Sequence, residues 1–212
     1  ILAVSARPNQ GGTTTLTNLA VTLAQAGKRV ILVDADLRTP KLHKVFGVDN
    51  VIGLSDVIMD RSPMPSALKI TGQENLLLVT AGSAFSNPWQ LLRSRRFSQV
   101  VDELKDQSDF VLFDSPSALL FADAVAMSRV VDGVIVIIKA NRSSRGDELR
   151  LRNLLNKARA NTLGVVMNGV STHVVDSGGF EDDYYTAAQM KALPDLGERR
   201  RNNDMQGAGR LE

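Results

Sequence analysis

Cysteine is missing from the 212 residues, which excludes disulfides and thiolate metal sites and fits a reducing compartment. No run reaches the roughly 18 to 20 apolar residues that a membrane-crossing helix needs, and the first residues lack the basic and apolar regions of a secretory signal. Excess charge of one sign is equally scarce. Lys and Arg number 25 against 23 Asp and Glu, a net charge of +2, so no global electrostatic drive toward nucleic acid or anionic lipid exists. Only two tyrosines occur, none before residue 184, although tyrosine normally goes into cores and interfaces. Internal repeats and Gly/Pro-rich linkers are absent before residue 170, so no domain boundary is placed within residues 1–170.

What is present is an ordinary folded composition, 43% hydrophobic and 23% charged, in a length that suits one well-buried domain. Short apolar runs alternate with segments of helical period. Strands are expected at Ile1 to Ser5, Val30 to Asp34, Leu76 to Thr80, Phe110 to Asp114, Val134 to Ile138 and Leu163 to Asn168, each apolar enough to be covered on both faces. Helices are expected at Thr13 to Ala26 (Leu16, Leu19, Ala20, Leu23 and Ala24 on one face), Ser94 to Lys105, and Asp147 to Ala158. The alternation predicts an α/β three-layer sandwich, a mostly parallel sheet flanked by helices. Residues 171–212 turn to Ser, Gly, Asp, Arg and Asn and read as a flexible tail, with a short helix near Thr186 to Leu193. The first residues read as a strand already in progress, so the chain is expected to continue upstream.

Ser5-Ala6-Arg7-Pro8-Asn9-Gln10-Gly11-Gly12-Thr13-Thr14-Thr15 joins a strand to a helix, the context of a phosphate-binding loop. There, backbone N–H groups curl around phosphates at a positive helix end, and a hydroxyl from Thr13 or Thr14 reaches a magnesium ion. The pattern also wants a lysine before the hydroxyl residue and an early glycine, and these places hold Gly12 and Asn9. A Gly-rich turn that binds nothing is the competing reading. Loss of such a cation typically costs about 3 kcal/mol of barrier. Arg7, five residues earlier, is not a geometric replacement for it.

Two further loops carry acids to strand ends, the edge where α/β sheets place ligands. Val33-Asp34-Ala35-Asp36-Leu37-Arg38 offers two carboxylates at alternate positions, one suited to magnesium and the other to accepting a proton. The bland alternative is that Asp36 pairs with Arg38 or caps the next turn. Phe110 to Asp114 delivers a third carboxylate, which reads either as a metal ligand or as a turn cap. Asn168 reads as a contact to a nucleotide base or as a turn former.

Together these segments resemble the bacterial tyrosine kinases of capsular and exopolysaccharide chain-length control, related to the septum-site and partition ATPases of the P-loop class with a deviant Walker motif. The likeness lies in Val33-Asp34-Ala35-Asp36-Leu37-Arg38, Pro40 with His43 and Phe46-Gly47, Gly53 to Val57, Ala81-Gly82 with Asn87-Pro88 and Leu91-Leu92, Phe113-Asp114-Ser115-Pro116, Asp123-Ala124, Asp132-Gly133-Val134 and Leu163 to Asn168. The resemblance implies ATP/ADP and Mg2+ held by Asn9, Gln10, Gly11, Gly12, Thr13, Thr14 and Asn168, with Asp34, Asp36 and Asp114 catalytic. It places the metal on Thr13, Asp36 and Asp114. It further implies autophosphorylation of a tail, and Tyr184 and Tyr185 stand together behind Glu181-Asp182-Asp183. The implied partners are a chain-length-determinant type membrane activator, fused upstream or separate, and further copies of the chain in a homo-oligomer, with no nucleic acid. The implied location is cytoplasmic, at the inner face of the cell membrane. Alternatives are a catalytically inactive nucleotide-sensing regulator and a partition or septum-site type ATPase.

Among the remaining residues, His43 reads as a packing residue. Arg93, Arg95 and Arg96 read as a solvated face or a subunit contact. Arg199 to Arg201 read as solubilising. Trp89, behind Asn87-Pro88 at an expected helix start, reads as a packing or interface anchor.

Overall fold

The computed structural model describes residues 1–140 and 144–170. Its strands are β1 (Leu2–Ser5), β2 (Val30–Asp34), β3 (Leu68–Ile70), β4 (Leu76–Val79), β5 (Phe110–Asp114), β6 (Val134–Lys139) and β7 (Thr162–Asn168). They form one seven-stranded sheet in the order β3-β4-β2-β5-β1-β6-β7. Only β3 runs antiparallel to its neighbour; the other pairs are parallel. The helices are α1 (Gly12–Gln25), α2 (Leu42–Phe46), α3 (Leu54–Ile58), α4 (Met64–Ala67), α5 (Pro88–Leu92), α6 (Arg95–Gln107), α7 (Asp123–Met127) and α8 (Arg145–Ala158).

Successive strand side chains alternate between the sheet's faces, and the core divides accordingly. Leu2, Val4, Ile31, Val33, Val111 and Phe113 pack against Phe97, Val100 and Leu104 of α6 and Leu151 and Leu155 of α8. Ala3, Val30, Leu32, Leu78 and Leu112 pack on the opposite side against Leu16, Ala20 and Ala24 of α1 and Leu42 of α2. The expected α/β sandwich of three layers is the observed one. Phe97 meets Phe113 edge-on, with ring centres 6.1 Å apart, the preferred aromatic geometry.

Three details differ from the sequence reading. The face that α1 buries includes Thr17, while Leu19 and Leu23 are only half-buried. Strand β3 and the short helices α2, α3, α4 and α7 are not among the expected elements, because three to five residues hold no measurable period, whereas the helix start expected at Asn87-Pro88 is that of α5. Strand β7 was expected to be covered on both faces, but it lies at the sheet edge and leaves Leu163, Val165 and Met167 55%, 58% and 61% exposed.

Because β2, β5 and β1 are neighbours, the loops leaving their carboxyl ends emerge side by side. That adjacency brings the three motifs together.

Candidate nucleotide site

The loop between β1 and α1 turns through two residues in the left-handed region, Asn9 at φ 62° and Gly11 at φ 91°. Asparagine is among the few side chains that tolerate this region, so Asn9 follows the path that a glycine would take. Gly11 is constrained doubly. A Cβ on it would lie 1.8 Å from Asn168 Nδ2, and that amide nitrogen donates to the Gln10 carbonyl at 3.1 Å. Inside the loop, the Arg7 N–H donates to Gln10 Oε1 at 3.0 Å. Gly12 is different: a Cβ there would meet nothing closer than Ser5 Oγ at 3.9 Å. Packing therefore leaves room for a Cβ at Gly12.

Helix α1 begins without a side-chain cap and without an acidic residue in its first turn. Its first N–H groups and positive end are left for an anion. Thr14 is exposed on this turn. Thr13 Oγ1 donates to Asp114 Oδ2 at 2.7 Å, tying the start of α1 to the end of β5.

Asp34 and Asp114 are partners in the parallel register of β2 and β5. Asp34 is fully buried. Its Oδ2 accepts the N–H groups of Lys41 and Leu42, both at 2.9 Å, whereas its Oδ1 is buried without a hydrogen-bond partner among the described residues. Burial pushes the Asp34 carboxyl up to about 7, with the Leu42 N–H opposing and the charges of Asp114 and Asp36 adding to the rise. Burial likewise pushes Asp114 up to about 6, against the hydrogen bond from Thr13.

Asp36 holds the turn that follows it. Its Oδ1 accepts the N–H of Thr39 at 3.0 Å and that of Arg38 at 3.3 Å, and its Oδ2 accepts the Thr39 hydroxyl at 2.8 Å. Of the two bland readings, turn capping is the one observed. The Arg38 guanidinium goes elsewhere, to Asp123 at 2.6 and 3.1 Å, and lies 4.2 Å from the centre of the Phe121 ring. Asp123 and Phe121 are rim residues that the sequence reading missed. Only the appearance of Asp123-Ala124 in the family-like pattern hinted at them.

The described residues contain no cluster of three or more His, Asp or Glu side chains able to hold a metal ion by itself. The donors do suit a magnesium ion that keeps water and phosphate ligands. Asp34 Oδ1 has no partner, and the Thr13 hydroxyl already touches Asp114. Fixed positive charge is short. Arg7 is clamped to Asp147 at the start of α8, at 2.9 and 3.1 Å. Lys41 is exposed and near enough to Asp114 to favour its charged form. Asn168 meets the loop as described, and Tyr184 and Tyr185 lie outside the described residues.

Residues 4–162 match the family model described as an AAA domain. The chain is 35% identical over 169 residues to the tyrosine-protein kinase YwqD of Bacillus subtilis, covering 80% of this chain and 71% of that protein. It is similar in structure to the kinase domain of the Escherichia coli tyrosine kinase ETK, with a TM-score of 0.77 and 26% identity over 87% of this chain and 70% of that one. The septum-site-determining protein MinD of Pyrococcus horikoshii, solved with Mg-ADP, superposes with a TM-score of 0.68 and 29% identity, covering 81% of this chain and 71% of that one.

Proposed function

The chain belongs to the bacterial tyrosine-protein kinase family, within the AAA-domain, P-loop class, and from that premise we propose that it binds ATP or ADP with Mg2+ and serves capsular or exopolysaccharide synthesis and export as a kinase-like component of weakened catalysis. The observation that carries this reading is the 2.7 Å bond from Thr13 to Asp114. It joins the loop able to cradle phosphates to a buried carboxylate whose register partner is Asp34.

In this reading the N–H groups of Asn9, Gln10, Gly11, Gly12, Thr13 and Thr14 receive the phosphates, and Asn168 borders the base. Thr13, Asp36 and Asp114 hold Mg2+, which when bound neutralises charge on the outer phosphates. The hydroxyl oxygen of Tyr184 or Tyr185 bonds to the terminal phosphorus, ADP leaves with the electrons of the broken P–O bond, and the phenolic proton passes to one of the site's carboxylates. Gly12 leaves the outer phosphates without a fixed cation, and the loss of one such group typically slows transfer about 10²–10³-fold. A membrane activator, self-association and a place at the inner membrane face belong to the same proposal.

A second reading, a nucleotide sensor without phosphoryl transfer, is favoured by one observation: the ion pair of Arg7 with Asp147 removes the nearest candidate to replace the lysine. The test incubates the chain with Mg2+ and ATP, follows intact mass for added phosphate, and measures ADP affinity by calorimetry. Mass gain at the tyrosines supports the kinase-like reading, ADP binding without mass gain supports the sensor, and no Mg2+-dependent nucleotide binding defeats both.

A further inference from the structure

With glycine at position 12, where α1 begins, any cation for the outer phosphates comes from another element of the same rim. Arg7 is paired with Asp147 at 2.9 Å. Arg38 is paired with buried Asp123 at 2.6 Å and lies over the Phe121 ring. Lys139, at the carboxyl end of β6, runs along Gly169, where a Cβ would stand 3.6 Å from its Cε. Lys41 differs from these three. It is exposed and forms no salt bridge among the described residues.

Two hydrogen bonds fix where the Lys41 backbone stands. The N–H groups of Lys41 and Leu42 both donate to Asp34 Oδ2 at 2.9 Å, which holds the start of α2 against the carboxyl end of β2. Asp34 is the register partner of Asp114, and Asp114 accepts from Thr13 in the first turn of α1. Only two carboxylates therefore separate Lys41 from the phosphate-loop helix, and its charge reaches Asp114, whose ionised form it favours. This is the side of the loop suited to the metal and the outermost phosphate.

Lysine carries a compact charge on a flexible four-carbon stem and meets phosphate without needing a fixed fork geometry. We propose that Lys41 supplies, from the loop after β2, the cation that Gly12 removes from the phosphate loop, and that it binds the terminal phosphate of a nucleoside triphosphate. Its exposed stem is ordered only when that phosphate arrives, so the compensation is partial. Lys41 separates ATP from ADP, yet holds the third phosphate less firmly than a lysine at the helix start. The inference rests on the proposed function for the bound nucleotide and adds the residue that selects its third phosphate.

The test uses the full chain and its Lys41→Gln, Lys41→Arg, Gly12→Lys and Gly12→Lys with Lys41→Gln variants. Each is titrated in a calorimeter, with Mg2+ present, against ADP and against adenylyl imidodiphosphate, a triphosphate that does not hydrolyse. Lys41→Gln should weaken the triphosphate about fivefold and ADP less than about twofold, the size of one exposed charge pair. Lys41→Arg should recover most of that loss. In the Gly12→Lys background the same Lys41→Gln change should cost less than about twofold, because the helix start then carries the charge. Equal weakening of both nucleotides, no weakening of either, or the same loss in both backgrounds overturns the assignment of Lys41 and leaves the nucleotide site standing. Absence of Mg2+-dependent binding of either nucleotide to the natural chain overturns the proposed function and this inference with it.

Discussion

Asp34 and Asp114 face each other across two adjacent parallel strands, in register, and both are held above the ordinary carboxylate range by burial. Two acids crowded in this way bind protons more tightly in the folded chain than in the unfolded one. Stability contributed by them is therefore fully present below the ordinary carboxylate value of 3.8 and is lost progressively as pH rises from there through about 6 to 7. Denaturant unfolding across a pH series should show that decline, and Asp34→Asn should flatten it. An unchanged pH slope in Asp34→Asn would count against the buried pair. Binding of Mg2+ with ADP near pH 6 should release protons, visible in calorimetry as a heat that depends on buffer ionisation.

Restoring the missing cation is the direct test of what Gly12 costs. A Cβ at this position meets nothing closer than Ser5 Oγ at 3.9 Å, and lysine is a better helix former than glycine by roughly 0.5–1 kcal/mol. Gly12→Lys should fold at least as stably as the natural chain. Its ATP turnover or tyrosine phosphorylation should rise by about 10²-fold. Thermal melts and intact mass in the presence of Mg2+ and ATP read both outcomes, and a stable variant without any gain would show that more than the lysine is missing.

One residue earlier the expectation reverses. Gly11→Ala places a methyl group into Asn168 and forces it into the left-handed region, with strain on the order of 1–3 kcal/mol. ADP affinity should fall steeply, while Gly12→Ala, at the adjacent position, should leave it within a few-fold. Calorimetric titration of the two variants side by side makes the comparison.

The ion pair between Arg38 and Asp123 is a structural wager with a clear sign. Asp123 is buried and Arg38 partly so, so Arg38→Ala leaves a carboxylate without compensation, at about 3 kcal/mol. Arg38→Ala with Asp123→Ala should recover part of that loss. If the double variant is no more stable than the sum of the single ones predicts, the pair is not coupled.

Much of the architecture was legible because six of the seven strands are apolar runs separated by helices or turn residues, and the sheet edge that gathers the loops follows from that alternation. Physics hides the remainder in different ways. Strand β3 has three residues and takes its identity from pairing with β4. Asp123, in the first turn of α7, pairs with an arginine 85 positions away, and no local pattern encodes that. At the site, the spacing Asp34-Ala35-Asp36 shows two carboxylates but not their division of labour. Strand register sets Asp34 beside Asp114, whereas Asp36, two residues on, is recruited by the N–H groups of its own turn. The loop's tolerance of Asn9 becomes readable only once its φ is known.

Strand β7 closes the sheet with Leu163, Val165, Val166 and Met167 all accessible and, among the described residues, with no strand on its outer side. Unpaired backbone beside aliphatic side chains is adhesive: it adds strands from any neighbour that offers them. Concentrated preparations of this domain should accordingly precipitate or build ladders of copies, and lysine in place of Val165 should keep them dispersed.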